Sequence, residues 1–157
     1  MSGMAGIINI VTKKYTEPRT TAELEYGSFN TLHTALSHGG SKKAFSYMLN
    51  LGYDRTDGPP GLHAAENMIN AYGTLEWAPS ENLSITANIF HLNGMRQFMT
   101  AQYPASADLM NRIESYDPFI SSSVSLKALL KQKNRSSFEV QTYYTDRRPE
   151  YVNEVSG

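Results

Sequence analysis

Five residues constrain this chain more than any others. Phe45, Tyr47, Leu49, Leu51 and Tyr53 occupy alternate positions, and Ala44, Ser46, Met48, Asn50, Gly52 and Asp54 fill the places between them. A repeat of two puts one set on each side of a β-strand, whereas a helix would scatter both sets around its circumference. The segment therefore reads as a strand with an apolar face and a polar face. It is long enough to cross a bilayer, which takes about 9–11 residues of tilted strand. Aromatic residues stand toward both of its ends, as they do at the two interfaces of a membrane barrel.

The same alternation runs from residue 19 onward, with no continuous apolar run. Strand one, over residues 19–28, sets Ala22, Leu24 and Tyr26 against Thr21, Glu23 and Glu25. Strand two sets Leu32, Thr34 and Leu36 against His33, Ala35 and Ser37. Strand four covers residues 67–78, with Ile69, Ala71, Leu75 and Trp77 on one side. Strand five carries Leu83, Ile85, Ala87 and Ile89, strand six (119–131) Val124, Leu126, Ala128 and Leu130, and strand seven (135–147) Phe138, Val140, Thr142 and Tyr144. On this parity Tyr47, Leu49, Leu51, Ile85, Ile89, Leu126 and Val140 share the apolar side, and Glu23, Asn50, Asn88, Ser125 and Glu139 the polar side.

Turn chemistry divides these strands. Gly27 to Asn30, Gly39-Gly40-Ser41, Pro79 to Asn82 and Gln132-Lys133-Asn134 read as tight turns. Residues 55–66, with Asp57-Gly58-Pro59-Pro60-Gly61, form a longer loop, residues 93–118 a long irregular connection, and residues 148–157 a terminal loop. Within the long connection, residues 107–113 could make a short helical turn. Short turns on one edge and longer, variable loops on the other are the habit of an outer-membrane barrel. The fold class expected is all-β: an antiparallel up-and-down meander forming part of a large transmembrane β-barrel.

Residues 1–18 differ. Ile7 and Val11 fall on one parity and Ile8 and Ile10 on the other, so this short β-branched run reads as a strand buried on both faces. Gly-Met-Ala-Gly-Ile-Ile-Asn-Ile-Val-Thr-Lys, residues 3–13, resembles the end of the plug domain of TonB-dependent outer-membrane receptors. Residues 22–30, Ala-Glu-Leu-Glu-Tyr-Gly-Ser-Phe-Asn, resemble the first barrel strand and its turn in that family, and residues 45–57 the third strand. The resemblance implies a division into residues 1–18, the end of the plug and its linker, and 19–157, about seven strands of an incomplete barrel. It implies a bacterial outer-membrane location and a parent that takes up a scarce nutrient, such as a ferric siderophore, haem, cobalamin or an oligosaccharide. Its partners would be outer-membrane lipid, the small-molecule nutrient and the TonB complex, the last through an N-terminal part that this sequence lacks. The family barrel has roughly 22 strands around a plugged lumen, so the chain is expected to be a piece of a longer protein that does not transport alone.

Little else points to chemistry. Net charge is −1, with no basic stripe, so nucleic acid is not an expected partner. There is no cysteine for a disulfide or thiolate metal site. His33, His38, His63 and His91 share no ligand spacing, and no nucleophile or phosphate motif occurs, so neither enzyme activity nor a cofactor is expected. No leader is visible before residue 7. The richest chemistry lies in the long connection, where Arg96, Phe98, Tyr103, Arg112 and Tyr116 combine aromatic faces with planar charge suited to carboxylate or catecholate oxygens. These five are the candidate ligand-binding residues. Two rival functions predict different things. A passive porin-like barrel needs no plug strand at residues 6–12. A soluble β-sandwich binding module needs Phe45, Tyr47 and Leu49 inside a closed core.

Overall fold

The computed structural model describes residues 17–98, 112–132 and 136–155. They form seven strands: β1 (Arg19–Gly27), β2 (Thr31–Lys42), β3 (Phe45–Thr56), β4 (Glu66–Ser80), β5 (Leu83–Gln97), β6 (Arg112–Lys131) and β7 (Ser137–Val155). Each pairs antiparallel with its chain neighbour in a single sheet ordered β1 to β7. The sheet is not closed. The expected buried strand over residues 7–11 lies outside the described residues.

Local chemistry explains the strand ends. β1 starts at Arg19, opposite Gly39, because Pro18 has no N–H with which to extend the ladder. The β1–β2 turn places Phe29 at φ 59° and Asn30 at φ 56°, the paired left-handed geometry that suits the twist of a two-residue hairpin. Asn30 fits that role and is anchored through its amide to Asp57 Oδ2 at 3.1 Å. The expected turn at Gly39-Gly40-Ser41 is corrected: these residues continue β2, and the turn comes at Lys43, with φ 55°, and Ala44. Gly40 sits in a close approach. A Cβ there would lie 3.2 Å from Pro18 Cα and 3.3 Å from the Tyr47 hydroxyl. The β4–β5 turn likewise shrinks to Glu81 and Asn82, with β4 running through a bulge to Ser80.

Three larger corrections share one direction. The irregular connection expected over residues 93–118 is strand at both ends, since β5 runs to Gln97 and β6 begins at Arg112. Residues 112 and 113, placed at the end of a possible helical turn, are extended; the rest of that turn lies outside the described residues. The expected terminal loop is strand as far as Val155, pairing with β6 from Arg112↔Val155 to Tyr116↔Tyr151.

Register puts residues paired across the sheet on one face. One such row joins Thr20, His38, Leu49, Gly73, Ile89, Val124 and Tyr144; the next joins Gly40, Tyr47, Leu75, Ala87, Leu126 and Thr142. The opposite face carries Thr21, Ser37, Asn50 and Tyr72, and beside them Met48, Thr74, Asn88, Ser125 and Tyr143. The two expected sets of residues thus lie on opposite faces. Exposure tells which face is inside the curve. In β3 the apolar Phe45, Tyr47, Leu49 and Leu51 are exposed, while the alternating Ser46, Met48, Asn50 and Gly52 are half-buried. A flat sheet would shield neither side, so the polar face is concave and the apolar face convex.

No conventional core exists among the described residues: Met68 is the one buried hydrophobic side chain. Polar contacts line the concave face instead. Tyr72 donates to Asn88 Oδ1 at 3.1 Å, Asn88 donates to Ser125 Oγ at 3.0 Å, Lys127 pairs with Glu139 at 2.9 Å, and His33 contacts Asp54. On the convex face Phe45 stacks on Trp77, and His38 bonds the Tyr47 hydroxyl at 2.9 Å.

The convex apolar residues do not keep to fixed rows. In β1 they are Ala22, Leu24 and Tyr26. The row of Leu24 continues through Thr34, Tyr53, Ile69, Asn93 and Ile120 to Arg148. In β7 the apolar stretch is centred six to eight residues away from Arg148, at Thr142 to Val140. The apolar band therefore crosses the sheet on a diagonal. Beyond it, the convex side of β5, β6 and β7 turns polar with His91, Ser122 and Asp146 in one row.

Candidate ligand site at the long-connection end

The β5–β6 hairpin widens at its far end, where β6 carries one more residue than β5. Arg96 pairs with Tyr116 and Gly94 with Phe119, leaving Asp117 and Pro118 to share the space of one residue. Pro118 cannot donate to a ladder, and a β-bulge is where a sheet tolerates it. The bulge has a geometric effect. Tyr116 and Phe119, three residues apart, come to the same concave face, with ring centroids 5.7 Å apart. Phe98 meets Tyr116 edge-on at 4.7 Å, and Tyr151 meets it at 6.2 Å. Both separations suit edge-to-face aromatic attraction. Gly94 makes room for the bend, since a Cβ there would overlap the Asn67 carbonyl oxygen and the Met68 side chain.

Beside these rings Arg96 Nε lies 2.9 Å from Glu66 Oε2, with Glu66 the more covered partner. The Phe98 N–H donates to the Glu114 carbonyl at 2.8 Å, and the Gln97 side chain accepts from the Ala65 N–H at 3.0 Å. The hairpin end is thus tied to both its own strand and the loop before β4.

Of the five candidate residues, the structure brings together Arg96, Phe98 and Tyr116. Tyr103 lies outside the described residues. Arg112 occupies the first position of β6. Sequence reasoning missed Glu66, Phe119 and Tyr151. Glu66 is separated by 30 residues from Arg96 and only register joins them. Tyr151 was read into a terminal loop. Phe119 stands in phase with the rest of β6, and it is the bulge at Asp117-Pro118 that turns Tyr116 to the same face; that dipeptide was the available signal. The assembled patch offers aromatic edges beside a guanidinium and a carboxylate that neutralise one another. It can stack on a ring and exchange hydrogen bonds with hydroxyls. Among the described residues no three acidic, histidine or cysteine side chains converge as metal ligands.

Comparison of the chain with models of protein families, with curated proteins and with solved structures finds no match.

Proposed function

We propose that this chain is part of the wall of a transmembrane β-barrel, and that the parent barrel is a TonB-dependent outer-membrane receptor for a scarce nutrient. The observation that carries the first half is the diagonal apolar band on an uncovered convex face. A shift of six to eight residues is about 20–26 Å at roughly 3.3 Å per residue, over six inter-strand steps of about 4.8 Å. Strands crossing a level slab with that offset tilt by about 35–42°, inside the range that membrane barrels use. The sandwich alternative fits less well. It requires Phe45, Tyr47 and Leu49 in a closed core, and they are 51%, 39% and 47% exposed.

The receptor half rests on the resemblance of residues 3–14 and 22–30. A passive porin-like wall would share this sheet, and the two-sided apolar run at residues 7–11 is what favours a plugged receptor. On this reading the long-connection end faces outward, and Arg96, Phe98 and Tyr116 help to receive the nutrient at the mouth.

Trp77 is the single tryptophan and stands on the convex face beside Phe45. In vesicles whose acyl chains carry bromine, its fluorescence should be strongly quenched. Emission equal to that in unbrominated vesicles would remove the membrane reading. The receptor half predicts that nutrient uptake by cells making the longer parent stops when the inner-membrane proton gradient is collapsed. Uptake that persists would indicate a passive pore.

A further inference from the structure

One cross-strand row on the concave face divides into a polar half and an aromatic half. Register joins Glu66, Arg96, Tyr116 and Tyr151 in sequence across β4, β5, β6 and β7. Strands about 4.8 Å apart spread these four residues over about 14 Å. Phe119 flanks the aromatic half, 5.7 Å from Tyr116, and Phe98 meets the same ring at 4.7 Å. Tyr151 is 55% exposed, so part of its ring is open to a ligand.

The polar half is electrically closed. Arg96 Nε is 2.9 Å from Glu66 Oε2. An anionic ligand would have to draw Arg96 away, leaving Glu66 without its partner and adding a second negative charge beside it. Glu114, two residues from Tyr116 on the same face, adds to that repulsion. Arg112 and Arg147 stand four residues along their strands from the row, about 13 Å away. Hydrogen bonding stays open. The guanidinium keeps N–H donors beyond the one on Glu66, and the carboxylate keeps acceptor positions.

We propose that this row receives a neutral oligosaccharide laid across the strands. The inference rests on reading this end as the ligand-receiving mouth, and it names the class of nutrient. A strand spacing of about 4.8 Å is close to the length of one pyranose ring, so consecutive sugars meet consecutive strands. A pyranose face carries polarised C–H groups, which the negative face of a tyrosine ring attracts. Its hydroxyls both donate and accept, which matches the paired guanidinium and carboxylate and needs no net charge. Catecholate and carboxylate complexes of iron are anions and lack this match. The pairing with Glu66 thus reverses what Arg96 alone suggests.

The test uses the full chain folded into phospholipid vesicles, with saturation-transfer NMR as the readout. Maltohexaose, xylohexaose and mannohexaose are the neutral probes. Gallium(III) tris-catecholate, a diamagnetic stand-in for the ferric anion, is the charged one. At least one hexasaccharide should bind, with an affinity that is the same at low and high salt. Tyr151→Ala should weaken it about three- to tenfold, the loss expected of one ring contact, and Tyr151→Phe should keep it. Tyr143→Ala, on the same face of β7 but eight residues away, should leave it unchanged. Equal losses in Tyr151→Ala and Tyr143→Ala would overturn the row as the site. Glu66→Gln strips the compensation from Arg96 and should admit the gallium complex, which the unaltered chain rejects. Failure to admit it would overturn the claim that the ion pair sets the ligand class. Binding of the gallium complex by the unaltered chain, weakened by salt, would overturn the neutral assignment and keep the mouth reading. Binding of no probe at all would overturn both.

Discussion

β3 and β7 are neighbours in kind but not in extent. The convex side of β3 is apolar or aromatic from Phe45 to Tyr53, nearly its whole 12 residues. The convex side of β7 is apolar from Phe138 to Tyr144 and then carries Asp146, Arg148 and Glu150, and the strand runs on to Val155. Both are held by the same backbone ladder. The difference teaches that hydrogen bonding sets how long a strand is, while contrast between the faces sets how much of it is amphipathic. On the proposed reading that contrast marks the membrane. β5, β6 and β7 then stand beyond the bilayer as a three-stranded wall, with the aromatic patch on its concave side.

The comparison breaks most easily at its centre. Leu49→Arg puts a guanidinium in the middle of the apolar band, next to Gly73 in its row. On the proposed reading, in the longer parent folded in a bilayer, the expected cost is about 2–4 kcal/mol. Val152→Arg, on the same face but in the extended part of β7, should cost no more than about 0.5 kcal/mol. Urea unfolding from vesicles measures both. Equal costs would erase the distinction between band and extension, and a harmless Leu49→Arg together with a ruinous Asn50→Leu would mean that the faces are assigned backwards.

The same contrast explains what could be read from the sequence. All seven strands were legible, with their facing, because each has a stretch in which apolar and polar residues alternate. Their ends were not. The expected limits of strands five, six and seven fall close to His91, Ser122 and Asp146, the row where the convex face becomes polar. Past that row apolar and aromatic residues no longer keep to one face, period two disappears from composition, and a strand looks like a loop. The ladder continues because backbone groups pair regardless of side chain. Gly40 misled for the opposite reason, since glycine signals a turn but here allows close approach to Pro18. Of the site, Arg96, Phe98 and Tyr116 could be named from residue type. Their partners Glu66 and Tyr151 depend on register over long separations, which no local pattern encodes.

A smaller effect is expected at the bulge. Gly94→Ala would drive a methyl group into Asn67 and Met68. Overpacking of this kind costs about 1–3 kcal/mol, and here the strain should stay in the extension. Amide hydrogen exchange should speed up at residues 94–97 and 112–116 while residues 47–51 keep their protection. Faster exchange throughout would mean that band and extension form one cooperative unit. On the proposed reading, Tyr116→Ala in the parent should weaken nutrient binding at equal surface abundance more than Arg96→Ala does. Tyr116 touches three rings, whereas Arg96 is already matched by Glu66.

On the concave face, Asn88 both accepts from Tyr72 and donates to Ser125. Asn88→Ala should cost about 1 kcal/mol, the usual net worth of such bonds where water can replace them. Tyr72→Phe should cost less, because it leaves the Asn88–Ser125 bond intact. A double-mutant cycle measures whether the chain of bonds is cooperative.

The smallest effect sharpens the comparison furthest. Lys127–Glu139 and Arg96–Glu66 are both 2.9 Å ion pairs on the concave face, the first within the apolar band's height and the second in the extension. In the open seven-stranded sheet both meet water: the Lys127 and Glu139 side chains are 39% and 45% exposed. Each should then couple by about 0.2–1 kcal/mol and weaken together as salt rises. A closed and plugged barrel changes only one of them. Lys127–Glu139 would lose its solvent to the lumen's contents and lose its sensitivity to salt, whereas Arg96–Glu66 at the mouth would keep it. Double-mutant cycles at low and high salt, run on this chain and on the longer parent that the proposed reading implies, read the difference directly. If the two pairs respond alike in the parent, the concave face at the height of the band is as open to water there as it is at the mouth, and the lumen is unplugged.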